Sequence, residues 1–456
     1  MLKKARIVSA TIFFILITLM FLDHTGTLKA YVGWMAKIQF LPAVLAANTG
    51  VVIALILVTL IFGRIYCSVV CPMGVLQDII FAGKRKAVKK ARMQQSYSKE
   101  KKVLRYGVLI LFIILMVAGV NSVAILIAPY SAYGRIVSSI SHPVMPVAAI
   151  AAVTLVVIVA LALHGGRTWC NTICPVGTIL GFFSRFAIFR IMIDTSKCVK
   201  CHYCEKRCKA SCIDIENQKI DASRCVNCFD CIDNCKLGGF KYGFAYKRKD
   251  KTAQEQKKST PDQGRRAFLV GSAILAGTVT ARAQEKHLDG GLAEVLPKTE
   301  PERDDRITPP GSRSHKEFYS KCTACQLCIT QCPNHVLKPS TDLKHLMQPV
   351  MSYTDGYCRP ECTVCSDVCP AGAILPITRE EKTVTKIGLA KVNPELCISC
   401  AHCAVRCPAH AIRMVKGIPA VNESKCIGCG QCENLCPVRP ISAIAVSGYK
   451  VHKTEE

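Results

Sequence analysis

Cys426-Ile-Gly-Cys429-Gly-Gln-Cys432-Glu-Asn-Leu-Cys436-Pro437 is the stretch that decides how this chain is built. Three thiolates set two residues apart can wrap three corners of one [4Fe–4S] cubane. The fourth, after a gap of three, points away toward a partner cluster. The same spacing recurs at Cys198-Cys201-Cys204-Cys208, Cys225-Cys228-Cys231-Cys235, Cys322-Cys325-Cys328-Cys332 and Cys397-Cys400-Cys403-Cys407. A sixth run, Cys358-Cys362-Cys365-Cys369, carries one extra residue in its first gap. Proline follows the fourth cysteine in the last four runs (Pro333, Pro370, Pro408, Pro437) but not in the first two. A proline there starts a helix at no hydrogen-bond cost, because the first-turn N–H is unpaired anyway.

Other uses of cysteine fit the pattern less well. Disulfides pair distant cysteines rather than repeat one spacing six times, and zinc sites use two C-x2-C pairs split by a longer insert. Cys198-Val-Lys-Cys201-His202 matches the c-haem attachment motif, yet haem there would orphan Cys204 and Cys208. Six runs therefore predict six [4Fe–4S] clusters and 24 ligating cysteines. Of the 29 cysteines in 456 residues, four more form C-x3-C pairs and Cys212 is left over. Cys212 stands four residues past Cys208 and is an alternative fourth ligand, although the standard spacing favours Cys208. Neighbouring runs can exchange fourth ligands in the C-terminal half, or outer runs can pair with inner ones.

Half the residues are hydrophobic, with the long apolar stretches confined to the first 165, so a membrane domain is expected. The formal charge of +27 overstates the basicity. Six thiolate-bound clusters would remove about twelve charges, and much of the remainder flanks apolar segments, so nucleic acid is not the expected partner.

Four apolar segments predict four spans: Ile7–Leu22, Phe40–Phe62, Val103–Ala128 and Pro143–Leu163. Ten Lys or Arg against one acid in Lys84–Arg105 place that loop, and with it the N-terminus, inside. Gly63-Arg64-Ile65-Tyr66-Cys67-Ser-Val-Val-Cys71-Pro72-Met-Gly74 recurs as Gly166-Arg167-Thr168-Trp169-Cys170-Asn-Thr-Ile-Cys174-Pro175-Val-Gly177. The membrane domain (1–190) thus reads as two duplicated halves. Cys67, Cys71, Cys170 and Cys174 are a candidate extra metal or cluster site at the inner surface, or else reduced thiols packing a helix start. Asp23 and His24 are ionisable groups at the outer end of the first segment, where a quinol could release protons; ordinary interfacial polarity is the simpler reading of them.

A two-cluster domain follows (191–245), then a linker (246–314) holding Arg265-Arg266, a short apolar run and Ala281-Arg282-Ala283. Twin arginines, a modest hydrophobic core and A-x-A match a twin-arginine export signal (264–283), or else a short surface helix with the rest kept inside. A four-cluster domain (315–447) and a tail (448–456) complete the chain. The fold class expected is multi-domain: a four-helix α transmembrane domain followed by α+β ferredoxin-like [4Fe–4S] domains.

On these motifs, residues 1 to about 245 resemble the NapH type of membrane ferredoxin, with four spans, two C-x3-C-P repeats and a two-cluster domain. Residues about 260 to 445 resemble the NapG type, with a twin-arginine signal and Pro309-Pro310-Gly311 ahead of four runs. The resemblance implies an electron-transfer subunit of a quinol dehydrogenase in the cytoplasmic membrane. It would draw on the quinone pool and pass electrons to a redox partner, a periplasmic reductase such as nitrate reductase. The missing prolines and the fusion depart from those families. A membrane ferredoxin acting in metalloenzyme assembly or redox regulation is the alternative, and the extra four-cluster domain speaks against it. No nucleotide loop or nucleophile elbow is present, and no catalytic residue is identifiable.

Overall fold

The computed structural model describes residues 2–23, 28–87, 95–118, 121–141, 144–245 and 296–454. Residues 1–245 and 298–456 form one unit, and 246–297 a second. The twin-arginine motif and His24 lie outside the described residues.

The first apolar run winds into a single helix, Leu2–Leu22, about 30 Å long at 1.5 Å per residue. Among the described residues, two helices are long and apolar enough to cross a membrane: Leu2–Leu22 and Val147–Gly165. The expectation of four spans is corrected here, because the other two segments break. Phe40–Leu45 and Thr49–Phe62 are separate helices. Ala47 turns left-handed between them (φ 52°), and the Asn48 side chain accepts the Val51 N–H at 3.3 Å, starting the second. Thr49–Phe62 has 14 residues, about 21 Å, short of a hydrocarbon core of about 30 Å. Lys102–Val117 likewise stops before a separate Asn121–Ile127 helix. The prolines of the two C-x3-C-P motifs each open a helix, Pro72–Ala87 and Pro175–Ser184.

In the two-cluster module, strand Phe189–Ile193 pairs antiparallel with Phe240–Phe244, tying its two ends together. In the C-terminal module Thr385–Val392 pairs with Ile444–Thr454. That strand takes in most of the stretch read from sequence as a tail, because Lys453 and Thr454 pair with Lys386 and Thr385. Residues 298–314, read as linker, also pack on this module. Arg303 pairs with buried Glu433 at 2.5 Å, and Leu375 N–H donates to Gly311 O at 3.0 Å. All sheets among the described residues are two-stranded. Such ribbons are marginal alone, and the cores they cover are rich in cysteine, so what the cysteines hold must supply much of the packing.

The two modules dock at opposite ends of Leu2–Leu22. Lys3 Nζ pairs with Asp230 (3.1 Å) and Asp233 (2.7 Å) of the two-cluster module. Met20 O accepts from Gln331 Nε2 of the C-terminal module at 2.9 Å. Along the axis those residues stand about 26 Å apart. One continuous buried core runs between them, from Val226 through Cys67, Cys170, Tyr66 and Tyr130 to Cys325.

Candidate functional site

In each of the five C-x2-C-x2-C runs, the residues flanking the second cysteine are left-handed. They are Lys200 and His202, Asn227 and Phe229, Ala324 and Gln326, Ser399 and Ala401, and Gly428 and Gly430, with φ between 46° and 78°. Alternating helical senses curl consecutive N–H groups into a nest that receives anions and iron–sulfur clusters. Left-handed backbone costs a residue with a Cβ roughly 1–2 kcal/mol, and eight of these ten residues are not glycine. The spacing therefore enforces a conformation that local preference opposes.

The cysteines collect in sets of four, three from one run and the fourth from its neighbour. Cys322, Cys325 and Cys328 line one cavity with Cys369. Cys358, Cys362 and Cys365 line another with Cys332. Cys397, Cys400 and Cys403 share a third with Cys436. Cys407 stands within electrostatic reach of Cys432, beside Cys426 and Cys429. In the two-cluster module, Cys225, Cys228 and Cys231 line one cavity with Cys208 and Cys212. Cys235 Sγ accepts the N–H of Gly239 at 3.2 Å, and a Cβ added at Gly239 would lie 3.8 Å from the Cα of Cys198. Adjacent runs exchange fourth cysteines throughout, and the outer-with-inner arrangement does not occur. Thiolate donors in fours and N–H groups on the sulfurs (Ala411 on Cys407 at 3.3 Å, for instance) fit a cubane in each set.

The extra residue after Cys358 is accommodated by buried Lys382, whose Nζ reaches the carbonyls of Arg359 and Cys362. His202, the haem-motif histidine, bonds Glu205 at 2.7 Å instead. Cys208 and Cys212 stand 3.6 Å apart. Their mutual hydrogen bond pulls Cys208 down to about 7 and pushes Cys212 up. Burial pushes Cys204 and Cys228 up to about 12. Bare thiols there stay protonated, so binding metal must expel protons.

The two Gly-Arg turns of the repeat seat the two-cluster module. Gly63 (φ 77°) leaves room for Asn227, whose amide donates to Phe62 O. Gly166 (φ 66°) leaves room for the Lys209 backbone, whose carbonyl accepts the Arg167 N–H at 2.7 Å. Lys209 fills the position that proline takes in later runs. Its ammonium reaches Asp78 (3.0 Å) and Asp230 (3.6 Å). Asp78 also pairs with Arg6 (3.0 Å) and Arg167 (2.7 Å). Burial alone would raise its carboxyl, but these cations hold it well below the usual range. Spacing arguments missed this junction; a lysine in place of the expected proline was its only sequence signal.

Comparison with known proteins agrees with the cysteine geometry. A 4Fe-4S binding domain family matches residues 48–90 and 146–191, one segment around each C-x3-C-P copy. A 4Fe-4S dicluster domain family matches 389–437. An uncharacterized protein of Methanocaldococcus jannaschii is 28% identical over 206 residues, 44% of this chain and 72% of that protein. The ferredoxin-type protein NapH of Haemophilus influenzae is 26% identical over 162 residues, 35% of this chain and 52% of its own length. The ferredoxin-type protein NapF of Escherichia coli is 31% identical over 139 residues, 23% of this chain and 82% of NapF. With that coverage of NapF, the chain belongs to the ferredoxin-type electron-transport proteins built from [4Fe–4S] domains.

Proposed function

We propose that the chain is a membrane-bound electron carrier that draws electrons from the quinol pool and delivers them to a reductase on the far side, nitrate reductase being the type implied by resemblance to NapH and NapG. The 24 run cysteines hold six [4Fe–4S] clusters, which supply one-electron iron redox chemistry when bound. One observation carries the reading: cysteine sets at opposite ends of a helix about 30 Å long share a single buried core. That core excludes water between them, and the two modules face different partners. The NapG-like portion would be exported by the twin-arginine segment, consistent with docking at the end of Leu2–Leu22 away from the basic loop.

Residues 95–105, the end of that loop, lie against the two-cluster module. Ser98 N–H donates to Ser211 O at 3.3 Å, and Arg105 donates to Ser223 Oγ at 3.1 Å and Glu100 at 2.8 Å. The same arginine thus satisfies a carboxylate and fixes the module to the membrane half.

The test is anaerobic addition of a quinol to the oxidised, detergent-purified protein. Bleaching of the iron–sulfur absorbance near its broad visible maximum is expected. No bleaching by quinol, with full bleaching by dithionite, would sink the quinol assignment while leaving the clusters in place.

A further inference from the structure

We infer that Lys382 is a positioning residue for electron transfer: its buried ammonium raises the reduction potential of the cluster held by Cys332, Cys358, Cys362 and Cys365, making that set the collecting point of the C-terminal module. The inference rests on the electron-carrier reading and adds to it where in the module an electron comes to rest.

The short helix Arg379–Val384 turns one charged residue inward. Thr378 and Glu381 close a capping box at its start, with Glu381 Oε2 accepting the Thr378 N–H at 2.8 Å. Arg379, Glu380 and Glu381 are exposed, whereas Lys382 is only 5% exposed. Its Nζ donates to Arg359 O at 2.5 Å and to Cys362 O. The side chain lines the cavity that Cys358, Cys362 and Cys365 share with Cys332. Burial pushes the Cys358 thiol up, and this ammonium, within hydrogen-bond reach of the sulfur, pulls it back.

Two carbonyls do not call for a charge, since a neutral donor satisfies them as well. Among the described residues no carboxylate pairs with Lys382, and a buried cation without a counter-ion is costly. A cubane on four thiolates carries about −2 when oxidised and about −3 when reduced. It supplies the missing counter-charge, and the cation favours the more negative, reduced form.

The neighbouring sets have no such cation. No lysine or arginine lines the cavity of Cys322, Cys325, Cys328 and Cys369, nor that of Cys397, Cys400, Cys403 and Cys436. Lys298 stands behind Cys436, on the carbonyls of Glu433, Asn434 and Cys436, and does not line that cavity. Beside Cys432 the buried charges cancel, Arg303 lying 2.5 Å from Glu433.

Position gives the charge its consequence. The set beside Lys382 exchanges fourth cysteines with the run from Cys322, whose Cys325 carbonyl packs on Gly134 of the N-terminal half. On its other side the Cys358 N–H donates to Cys429 O at 2.9 Å, which ties it to the run from Cys426. An electron entering beside Cys325 therefore meets the Lys382 set next. That set gains one electron as its neighbour loses one; no bond breaks and no proton moves.

A potentiometric titration of the anaerobically purified full-length protein tests the assignment, with dithionite as reductant and low-temperature electron paramagnetic resonance as readout. Cys→Ser variants in each of the last four runs assign the resonances. In Lys382→Gln the resonance assigned to the run from Cys358 should fall at least tenfold in its reduction equilibrium, about 59 mV for one electron, with iron per chain unchanged. Lys382→Arg should restore most of that shift. Glutamine still donates to the Arg359 and Cys362 carbonyls, so a purely structural role would leave every potential in place. That result, at full iron content, would overturn the proposal. Should Lys382→Gln instead lose about four irons, the missing resonance must be the one of highest potential among the four assigned in the unsubstituted protein; loss of a lower one would overturn the proposal. No reducible iron–sulfur signal in the unsubstituted protein would overturn the electron-carrier reading itself.

Discussion

Lys209 stands where a proline closes the later runs, and its contacts explain the exchange. Its backbone fills the space beside Gly166, and its ammonium enters a buried knot with Asp78, Asp230, Arg6 and Arg167. Removing the shared acid would leave buried cations uncompensated. Asp78→Asn is expected to cost about 3–5 kcal/mol, read as a lower midpoint for thermal release of the two-cluster module from the N-terminal helices. An unchanged midpoint would mean that the knot does not hold the junction. The carboxyl lies below its ordinary range, so its contribution is full above about pH 4 and fades only under stronger acid. Cys208 and Cys212 separate by a second experiment. Standard spacing gives the ligand role to Cys208, so Cys208→Ser should cost about four irons and Cys212→Ser none. The reverse pattern would show that the leftover cysteine is the ligand.

At the scale of elements, the cysteine runs were legible because ligand spacing is a covalent constraint that tertiary packing does not override. The left-handed residues around Cys201, Cys228, Cys325 and Cys400 were not legible from propensity, since a lysine, histidine or phenylalanine gives no sign of φ > 0. The spans were read partly wrongly. Hydropathy sums over Phe40–Phe62 and Val103–Ala128 cannot see a break such as the one at Ala47 and Asn48, because the flanking residues stay apolar. The C-terminal strand escaped because residues 448–454 are largely polar and gain order by pairing with Thr385–Val392 at their ends and with residues 305–314 between them. His452 sits on that strand, its Nε2 2.9 Å from Thr308 Oγ1. Burial, with His315 nearby, lowers its pKa from 6.5 to about 4. An unfolded chain takes up this proton below about pH 6.5 and the folded one does not until about 4. Stability of the strand should therefore fall by at most about 3 kcal/mol as pH drops through that window. Hydrogen exchange of Ile444–Thr454 should accelerate accordingly, and His452→Asn should flatten the dependence. An equal pH response in the variant would move the cause elsewhere.

For the whole molecule, the pseudo-symmetry of the repeat is what joins the parts. Each copy offers a glycine-arginine turn to the two-cluster module, and each sends its arginine over the other copy's cysteines. The far end of Leu2–Leu22 receives the C-terminal module through Gln331 and the Cys325 loop against Gly134. The repeat itself was visible in sequence; the contact of both modules with one core was not, because it depends on side chains more than 300 residues apart, such as Met20 and Gln331. Vesicles carrying the protein, free of quinone, test that arrangement most directly. A membrane-impermeant reductant is added outside, and the reduced clusters are counted by low-temperature spectroscopy. If one core connects both modules, either orientation should become reduced in both cluster sets. Reduction that stops at the set facing the reductant, with the other set oxidised until the vesicles are lysed, would contradict a continuous path through the chain.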